Sequence, residues 1–419
     1  MRTWHVPGTN AGYSGRALCT RLIPVVALVS ALLGAVGGLA IARAAGWVGE
    51  NRTETLVVPA PRLQNPAPEP AGRAVHVKPV IGNGFDPARI YAARSRGVVT
   101  IFSRFGSDRE TQGSGFIVSS DGVILTNSHV IANTDDSRFV KPAPADRVYV
   151  EFADRERVPA RIVGFDVFDD VGVLRVDPSA HALQSVPLGN SAVVSVGDPV
   201  AIIGSPFGNE NSLAVGVVSA TKRSIESLTS SYDLLDAIQT DAPINHGNSG
   251  GPMFDARGRV IGIAAQIRSS SGNAEGVGFA VPIDSARRSL RQLLHGGKVH
   301  YAYVGVHTQT LTPAAARRLG YKVDRGAIVD AVSSGGPADA AGFHGATGEE
   351  DIDGVAVARG GDVVVAIDGV PVTTADDLVR IVTNRLLPGR VATFSVVRGD
   401  RRLTIAVRLA ERPSRQAPR

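Results

Sequence analysis

The amino-acid sequence predicts a mainly β protein that continues into a smaller αβ domain. Between residues 91 and 283, short runs rich in valine and isoleucine alternate with turn signals. The 47 glycines and the 5% of aromatic residues are typical of β structure with many tight turns. So many short strands in succession favour a sandwich or closed barrels over βαβ units. At 419 residues the chain exceeds one ordinary domain, so we expect two folded domains.

An uncharged apolar run at residues 22–42 is long enough to cross a bilayer, which takes ~20 residues. Residues 1–21 contain arginines and no acidic residue, so we expect them in the cytoplasm and the rest of the chain outside it. A cleaved signal peptide with its site at Ala42–Ala44 is the alternative to this signal anchor. Residues 43–87 are proline-rich and predict an extended linker.

The composition argues against several kinds of partner. The chain has 44 Lys and Arg against 39 Asp and Glu, which is only mildly basic, so nucleic acid is not expected as a partner. The single cysteine, Cys19, excludes an intrachain disulfide and a cysteine-based metal site. We predict no metal and no cofactor.

The boundary between the two domains follows a predicted helix at Ser285–His295, which Gly296 and Gly297 end. We predict a first folded domain at residues 88–298, a second folded domain at residues 299–411 and a disordered tail at residues 412–419.

The second domain shows two helical patterns and an insert. TPAAARRLG predicts a short helix with Pro313 in its first turn and Gly320 at its end. TTADDLVRIVTNRL predicts an amphipathic helix. The glycine- and acid-rich insert Gly345–Gly361 enlarges the domain and indicates no role.

The stretch TDAPINHGNSGGP, residues 240–252, presents a serine on a tight turn. Ser249 lies between Gly247 and the pair Gly250-Gly251, whose backbones turn without Cβ strain. The N–H groups of Gly247 and Ser249 can then converge where the oxyanion of a tetrahedral acyl intermediate would lie. Most Gly-Ser turns are only turns, so Ser249 needs a histidine and an acid to become a nucleophile.

Both partners are present upstream. His129, in ILTNSHVI, would accept the Ser249 proton and return it to the leaving amine. Asp170, in FDDVGVL, would orient and stabilise the imidazole, and Asp166 and Asp169 are nearby competitors for that role. Each residue alone is more often a turn or capping residue. Together and in this order they predict a Ser-His-Asp triad.

The motifs TNSHV, DDVGVL and GNSGGP, in this order after an apolar segment, resemble the HtrA/Deg family of trypsin-like serine proteases with a C-terminal PDZ domain. The resemblance implies a chymotrypsin-like fold, in which two six-stranded β-barrels hold the triad between them. It implies His129, Asp170 and Ser249 as the triad and the N–H groups of Gly247 and Ser249 as the oxyanion hole. Asp170, rather than Asp166 or Asp169, matches the family pattern D-[LIV]-[AG]-V-L.

The resemblance also implies a specificity pocket with small, apolar walls. Such walls predict small aliphatic side chains before the cleaved bond. His246 stands where the family commonly has proline; an exposed loop residue is the alternative to a second base there. The predicted pocket residues are Ile244, Asn245, Ala264, Ala265 and Gln266.

In the second domain, Tyr303-Val304-Gly305-Val306 resembles the carboxylate-binding loop of PDZ domains. Its successive N–H groups would bind a peptide C-terminus, while the next strand pairs with the peptide; the alternative is an ordinary glycine in a strand. The resemblance further implies a homotrimer and PDZ-coupled control through the loop after Thr221.

We therefore predict a membrane-anchored serine endopeptidase that cleaves misfolded or exposed polypeptides outside the cytoplasm, in a bacterial cell envelope. Two alternatives remain open at this stage. One is a regulated, site-specific protease of a single signalling protein. The other is a non-proteolytic chaperone or PDZ scaffold, against which an intact triad argues.

Overall fold

The structure, a computed structural model, describes residues 84–133, 142–205, 212–245, 247–265 and 277–414. The predicted anchor at 22–42, the linker up to residue 83, His246 and Gln266 lie outside these residues. Within the described part of the chain, no helix is both long and apolar enough to span a membrane.

The first barrel closes in the strand order β1-β2-β3-β8-β7-β6, and every pair in it is antiparallel. A helix α1 (Pro87–Arg94) precedes it, and a one-turn helix α2 (Ser128–Ile131) follows β3. Two further short strands, β4 and β5, pair beside it. The strands are β1 Val98–Phe105, β2 Arg109–Ile117, β3 Val123–Thr126, β4 Ala132–Asn133, β5 Ala143–Pro144, β6 Arg147–Glu151, β7 Arg157–Asp166 and β8 Val171–Val176.

The second barrel closes in the order β10-β11-β14-β13-β12-β9, so the prediction of closed barrels is confirmed over that of a sandwich. It ends in helix α3 (Ile283–Gly296), which overlaps the predicted helix and stops at Gly297, where φ is 67° and the N–H bonds the Leu293 carbonyl. The strands are β9 Pro199–Gly204, β10 Ser212–Ile225, β11 Leu234–Thr240, β12 Pro252–Phe254, β13 Val260–Ala265 and β14 Gly278–Pro282.

One hydrophobic core runs through both barrels. It includes Phe116 and Leu125 from the first barrel and Ile203 and Phe254 from the second, each fully buried. Leu293 of α3 packs onto the same core. Because protein interiors pack as densely as organic crystals, this shared core sets the spacing of the barrels and of the cleft between them.

The second domain is a twisted sheet, β16-β17-β20-β22-β23, with β21 added to β20. A separate two-stranded pair, β15 with β24, brings together the first and last strands of the domain. Strands β18 and β19 pair with each other. The strands are β15 Ala302–Tyr303, β16 Val306–Leu311, β17 Gly326–Val332, β18 Gly348–Ile352, β19 Val355–Arg359, β20 Val363–Ile367, β21 Val370–Pro371, β22 Val391–Arg398, β23 Arg401–Arg408 and β24 Ala410–Glu411. The helices are α4 Pro313–Leu319, α5 Pro337–Ala340 and α6 Ala375–Arg385.

Alternating residues of this sheet face two separate cores. In β17, Val329 joins the core that contains Leu378 of α6, while Ile328 joins the core beneath α4. The insert Gly345–Gly361 forms the β18–β19 hairpin and supplies the fully buried Ala358 to the second of these cores. The insert therefore covers the face of the sheet opposite α6.

Both predicted helices of the second domain are confirmed. Thr312 caps α4 by accepting the Ala315 N–H, and Gly320 ends the helix with φ at 74°. Helix α6 begins with a capping box between Thr374 and Asp377.

The start predicted for the disordered tail needs one correction, at Arg412. Its N–H donates to the Tyr301 carbonyl at 2.8 Å, and its guanidinium lies over the rings of Phe168, Tyr232 and Tyr301 at 4.8–5.4 Å. Cation–π contacts with three rings order a residue that polar composition alone assigns to a tail.

We expect Asp362→Ala to destabilise the second domain by about 3 kcal/mol, because it leaves a partly buried guanidinium without its carboxylate. Asp362 is completely buried and accepts from Arg398 Nε at 2.6 Å, from Arg398 Nη2 at 2.7 Å and from the His344 N–H at 2.9 Å. Hydrogen exchange of β22 and β23 in urea measures the loss. Asp400→Ala, which removes the exposed partner of Lys322, is the control. Equal effects of the two variants would contradict the expectation.

Candidate active site between the two barrels

His129 lies in α2, the single helical turn that follows β3. Its Nδ1 is 2.9 Å from Asp170 Oδ2, and both side chains are largely buried. An imidazole whose Nδ1–H faces a carboxylate keeps Nε2 as its basic nitrogen. This is the tautomer that a general base toward a serine requires.

Asp170 accepts three hydrogen bonds from the N-cap residue and the first two residues of α2. Its Oδ1 accepts from Ser128 Oγ at 2.7 Å and from the His129 N–H at 3.1 Å. Its carbonyl oxygen accepts from Asn127 Nδ2 at 2.8 Å. The residue has φ at 50°, in the left-handed region, which it enters at the turn before β8. The carboxylate therefore has one orientation, and that orientation points Oδ2 at the imidazole.

The competing acids point away from His129. Asp166 Oδ2 accepts from Tyr301 OH at 2.5 Å and from Ser289 Oγ at 2.7 Å. Asp169 Oδ2 accepts from Arg288 Nη2 at 2.5 Å. One five-residue turn thus presents Asp170 to the cleft and the other two acids to α3 and the start of the second domain.

Ser249 lies on the turn between β11 and β12 of the second barrel. The turn uses positive φ at Gly247, 102°, and at Gly250, 88°. A Cβ at Gly250 would lie 2.0 Å from the Ser114 carbonyl oxygen and 2.3 Å from Thr126 Oγ1, so only glycine fits there. Close packing against the first barrel thus explains the glycine after the serine.

The serine turn and the histidine helix converge on one strand residue, Gly113 of β2. A Cβ at Gly113 would lie 2.6 Å from Val130, the neighbour of His129, and 3.1 Å from the Ser249 carbonyl oxygen. The fold therefore brings the predicted nucleophile turn and the predicted base to the two sides of the same backbone position.

The predicted pocket residues surround this turn in part. Ala264 is fully buried. Its carbonyl accepts the Gly250 N–H at 2.8 Å, and its own N–H donates to the Gly251 carbonyl at 2.8 Å. Ile244 and Ala265 are also buried, whereas Asn245 is exposed and accepts the Asn248 N–H at 3.1 Å.

The predicted carboxylate-binding loop leads from β15 into β16. Gly305 has φ at 83°, and its carbonyl accepts the Ser333 N–H at 2.9 Å. The Val304 carbonyl accepts the Ala338 N–H at 2.8 Å, and Tyr303 OH is 3.1 Å from Ser333 Oγ. These hydrogen bonds fix the orientation of the Val304 and Gly305 carbonyls in the loop. Val306 is the first residue of β16. This strand pairs with β17 and packs against α6.

One group of possible metal ligands lies on the first barrel. Asp154, Glu156 and His181 bring their ligand atoms within 4.8 Å of one another. His181 Nδ1 faces the Ala182 carbonyl at 3.1 Å and Nε2 faces Asp154 Oδ2 at 2.9 Å, while its ring stacks on Phe152. The hydrogen bond with His181, followed by the one from the Glu156 N–H, lowers the pKa of Asp154.

Sequence reasoning missed the contacts between α6 of the second domain and the second barrel. Arg380 Nε donates to Asp236 Oδ1 at 2.5 Å, and Arg380 Nη2 donates to the Lys222 carbonyl at 3.2 Å. Asn384 Nδ2 adds a bond to Asp236 Oδ2 at 3.4 Å. No local pattern signals such contacts, because the partners lie far apart in the chain.

Comparisons with known proteins agree with this architecture. The family profile "Trypsin-like peptidase domain" matches residues 113–263, and the profile "PDZ domain" matches residues 302–409. The chain is 37% identical over 307 residues to the "Probable periplasmic serine endoprotease DegP-like" of Hahella chejuensis, covering 73% of this chain and 58% of the relative. It is 36% identical over 309 residues to the "Putative serine protease HhoA" of Synechocystis sp., covering 72% and 71%.

Among solved structures, the "HtrA-type protease AlgW with tripeptide" superposes with a TM-score of 0.65 at 31% identity. The match covers 78% of this chain and 98% of that one. The chain spans 58% of the length of the DegP-like relative from Hahella chejuensis.

The buried Asp166 makes the stability of the protein depend on pH. Burial, with the nearby charge of Asp169, raises the pKa of Asp166 from 3.8 to about 6. The folded state therefore binds this proton more tightly than the unfolded chain does. The stabilising contribution of Asp166 to the unfolding free energy is fully present below pH 3.8 and is lost as the pH rises through 6.

In the parent, Asp166 should make the unfolding free energy fall by up to about 1.4 kcal/mol per pH unit between roughly pH 4 and 6. We expect Asp166→Asn to abolish this part of the pH dependence. Urea unfolding at four pH values measures the slope. Asp154→Asn is the control of opposite sign, because the lowered pKa of Asp154 gives stability that is lost as the pH falls. Parallel pH profiles of the parent and Asp166→Asn would contradict the assignment.

Proposed function

The chain belongs to the HtrA/DegP-like family of trypsin-like serine proteases with a PDZ domain, and we propose that it is a serine endopeptidase that cleaves misfolded or exposed polypeptides outside the cytoplasm. The observation that carries the proposal is the His129–Asp170 pair, which meets the Ser249 turn at Gly113. A chaperone or scaffold would not need a buried carboxylate hydrogen-bonded to an imidazole beside a serine turn.

The proposed reaction is acyl transfer in two steps. Ser249 Oγ attacks the peptide carbonyl while His129 Nε2 takes its proton, and the imidazolium then protonates the leaving amine. Asp170 stabilises the imidazolium through Nδ1–H, and the N–H groups of Gly247 and Ser249 bind the oxyanion. Water attacks the acyl-enzyme by the same route and releases the new carboxylate.

The proposed specificity is for small aliphatic side chains before the cleaved bond. Ile244, Ala264 and Ala265 are apolar and buried, so a pocket built on them offers no counter-charge to a lysine or arginine. Asn245 and Gln266 complete the proposed pocket.

The proposed location is the cell envelope, with residues 22–42 as the membrane anchor and the domains at 88–298 and 299–411 outside the cytoplasm. The DegP-like relatives are named as probable periplasmic endoproteases, which supports this side of the membrane. A homotrimer is proposed from the family alone.

The PDZ domain is proposed to bind peptide C-termini through Tyr303–Val306 and to control the protease. The similar AlgW structures are described with a bound tripeptide and with a bound decapeptide, which supports peptide binding in this architecture. The control would start at α6, whose Arg380 contacts Lys222 and Asp236. These two residues bracket the loop that the sequence assigned to control.

This loop reaches the turn that carries Asp170. Thr229 Oγ1 donates to the Val167 carbonyl at 2.5 Å, and Tyr232 packs edge-on against Phe168 at 5.5 Å. A peptide that shifts α6 would thus act on the turn before Asp170 through packed, hydrogen-bonded neighbours. The route is a proposal from contacts, and it requires two states whose balance the peptide changes.

We expect the full chain to hydrolyse casein and Ser249→Ala to lose that activity by a factor of about 10⁴ or more, because the nucleophile is removed. Release of acid-soluble peptide measures both. Ser191→Ala, which removes a hydroxyl bonded to Asp284 instead, is the matched control. Equal residual activity in parent and Ser249→Ala, with a folded trimer and added C-terminal peptides, would favour the scaffold.

We expect Arg380→Ala to uncouple the PDZ domain from the protease. Allosteric coupling is typically about 5-fold or more, and without the Asp236 contact the stimulation by a hydrophobic C-terminal peptide should fall below about twofold. Fluorescence anisotropy should show unchanged peptide affinity. Arg385→Ala, an exposed arginine on the same helix, should leave stimulation intact. Full stimulation in Arg380→Ala would exclude this route.

A further inference from the structure

Ser114 of β2 is completely buried and bonds to the nucleophile turn from the first barrel. Its Oγ–H donates to the Gly247 carbonyl at 2.6 Å, and the same oxygen accepts the Ser205 N–H at 2.9 Å. Its backbone N–H donates to the Ser249 carbonyl at 2.8 Å. One residue thus bonds to the turn on both sides of Asn248.

These bonds restrain the peptide planes on which the proposed oxyanion donors depend. The N–H of Ser249 belongs to the plane between Asn248 and Ser249. The two planes that flank it carry the Gly247 and Ser249 carbonyls, and Ser114 bonds to both. The N–H of Gly247 belongs to the plane just before the first restrained one. Each donor is therefore next to a plane that Ser114 holds.

Gly247 is the position in the turn that most needs such a restraint. Its φ of 102° lies in a region that glycine enters freely, so its own backbone offers little resistance to rotation of the adjacent planes. A hydrogen bond to its carbonyl supplies that resistance. Oxyanion donors stabilise the transition state only if they are already in place when charge develops.

Two glycines pack tightly against Ser114. A Cβ at Gly204 would lie 3.0 Å from Ser114 Oγ, and a Cβ at Gly250 would lie 2.0 Å from its carbonyl oxygen. The Ser114 carbonyl also accepts from Thr126 Oγ1 at 2.7 Å, which fixes the strand on its other side. The hydroxyl is therefore positioned by tight packing on a β-strand rather than on a mobile loop.

We propose that Ser114 is a positioning residue of the protease, whose hydroxyl holds the turn so that the N–H groups of Gly247 and Ser249 face the oxyanion. The proposal rests on the proposed function, because it presupposes acyl transfer at Ser249. Ser114 is fully buried and hydrogen-bonded to the turn, so it acts through the backbone of the turn.

The test is Ser114→Ala, measured with a chromogenic peptide on the full chain. We expect kcat to fall about 10- to 100-fold, less than the roughly 10²- to 10³-fold loss on removing a direct oxyanion donor. KM should stay within about twofold, because the ground-state contacts remain. Rates are normalised to folded protein by circular dichroism, since loss of two buried hydrogen bonds also lowers stability.

A pair of inhibitors separates positioning from a general loss of structure. A peptide aldehyde reacts with Ser249: the Oγ–C bond forms, the carbonyl π pair becomes the oxyanion, and the Oγ proton passes to His129. The matching peptide alcohol binds without this step. We expect Ser114→Ala to lose aldehyde affinity by about the same factor as kcat and to keep its affinity for the alcohol.

Ser191→Ala is the matched control. The Ser191 hydroxyl also donates to one group and accepts a backbone N–H, both from Asp284 at the start of α3. If the parent is no more active than Ser249→Ala, the proposed function fails. If the parent is active and Ser114→Ala loses no more kcat than Ser191→Ala, or loses both inhibitors equally, the positioning role is overturned.

Discussion

The hydrogen bond from the Ser114 N–H to the Ser249 carbonyl crosses from one barrel to the other, and the candidate site depends on that junction. His129 and Asp170 belong to the first barrel, while Ser249 belongs to the second. The position of His129 and Asp170 relative to Ser249 thus depends on how the two barrels pack. A continuous apolar core joins the barrels, and the absence of a Cβ at Gly250 lets them approach closely. Acyl transfer tolerates little misplacement of the reacting groups, so a rigid junction serves the chemistry directly.

Much of this architecture could be predicted from the sequence because local patterns specify it. Short β-branched runs between turn signals predicted the barrel strands, and glycine and proline at the expected offsets predicted α4 and its end. The family motif selected Asp170 over Asp166 and Asp169; in the structure Asp170 contacts His129, whereas the other two carboxylates contact Ser289 and Arg288. Composition left a sandwich and closed barrels open, and only the strand pairing distinguishes them.

What escaped prediction depends on contacts between distant parts of the chain. Ser114 looks like any polar residue in a strand until the fold places it beneath Gly247. Arg380 and Asp236 are separated by 144 positions, and nothing local to either indicates the other. Arg412 looked like the start of a tail because three aromatic rings that order it come from other segments. The insert Gly345–Gly361 gave no signal of the hairpin that covers one face of the sheet.

The position of β16 has a consequence for aggregation. In the described sheet β16 pairs with β17 alone, so it is an edge strand, and it lies beside α6. Such an edge attracts any extended chain, including another copy of the same protein. The outer part of β16 reads His307-Thr308-Gln309-Thr310, with no long apolar side chain to reinforce chance pairing. Backbone pairing alone then holds a stray strand weakly, and under the proposed PDZ function lasting attachment requires a terminal carboxylate at the loop of Gly305.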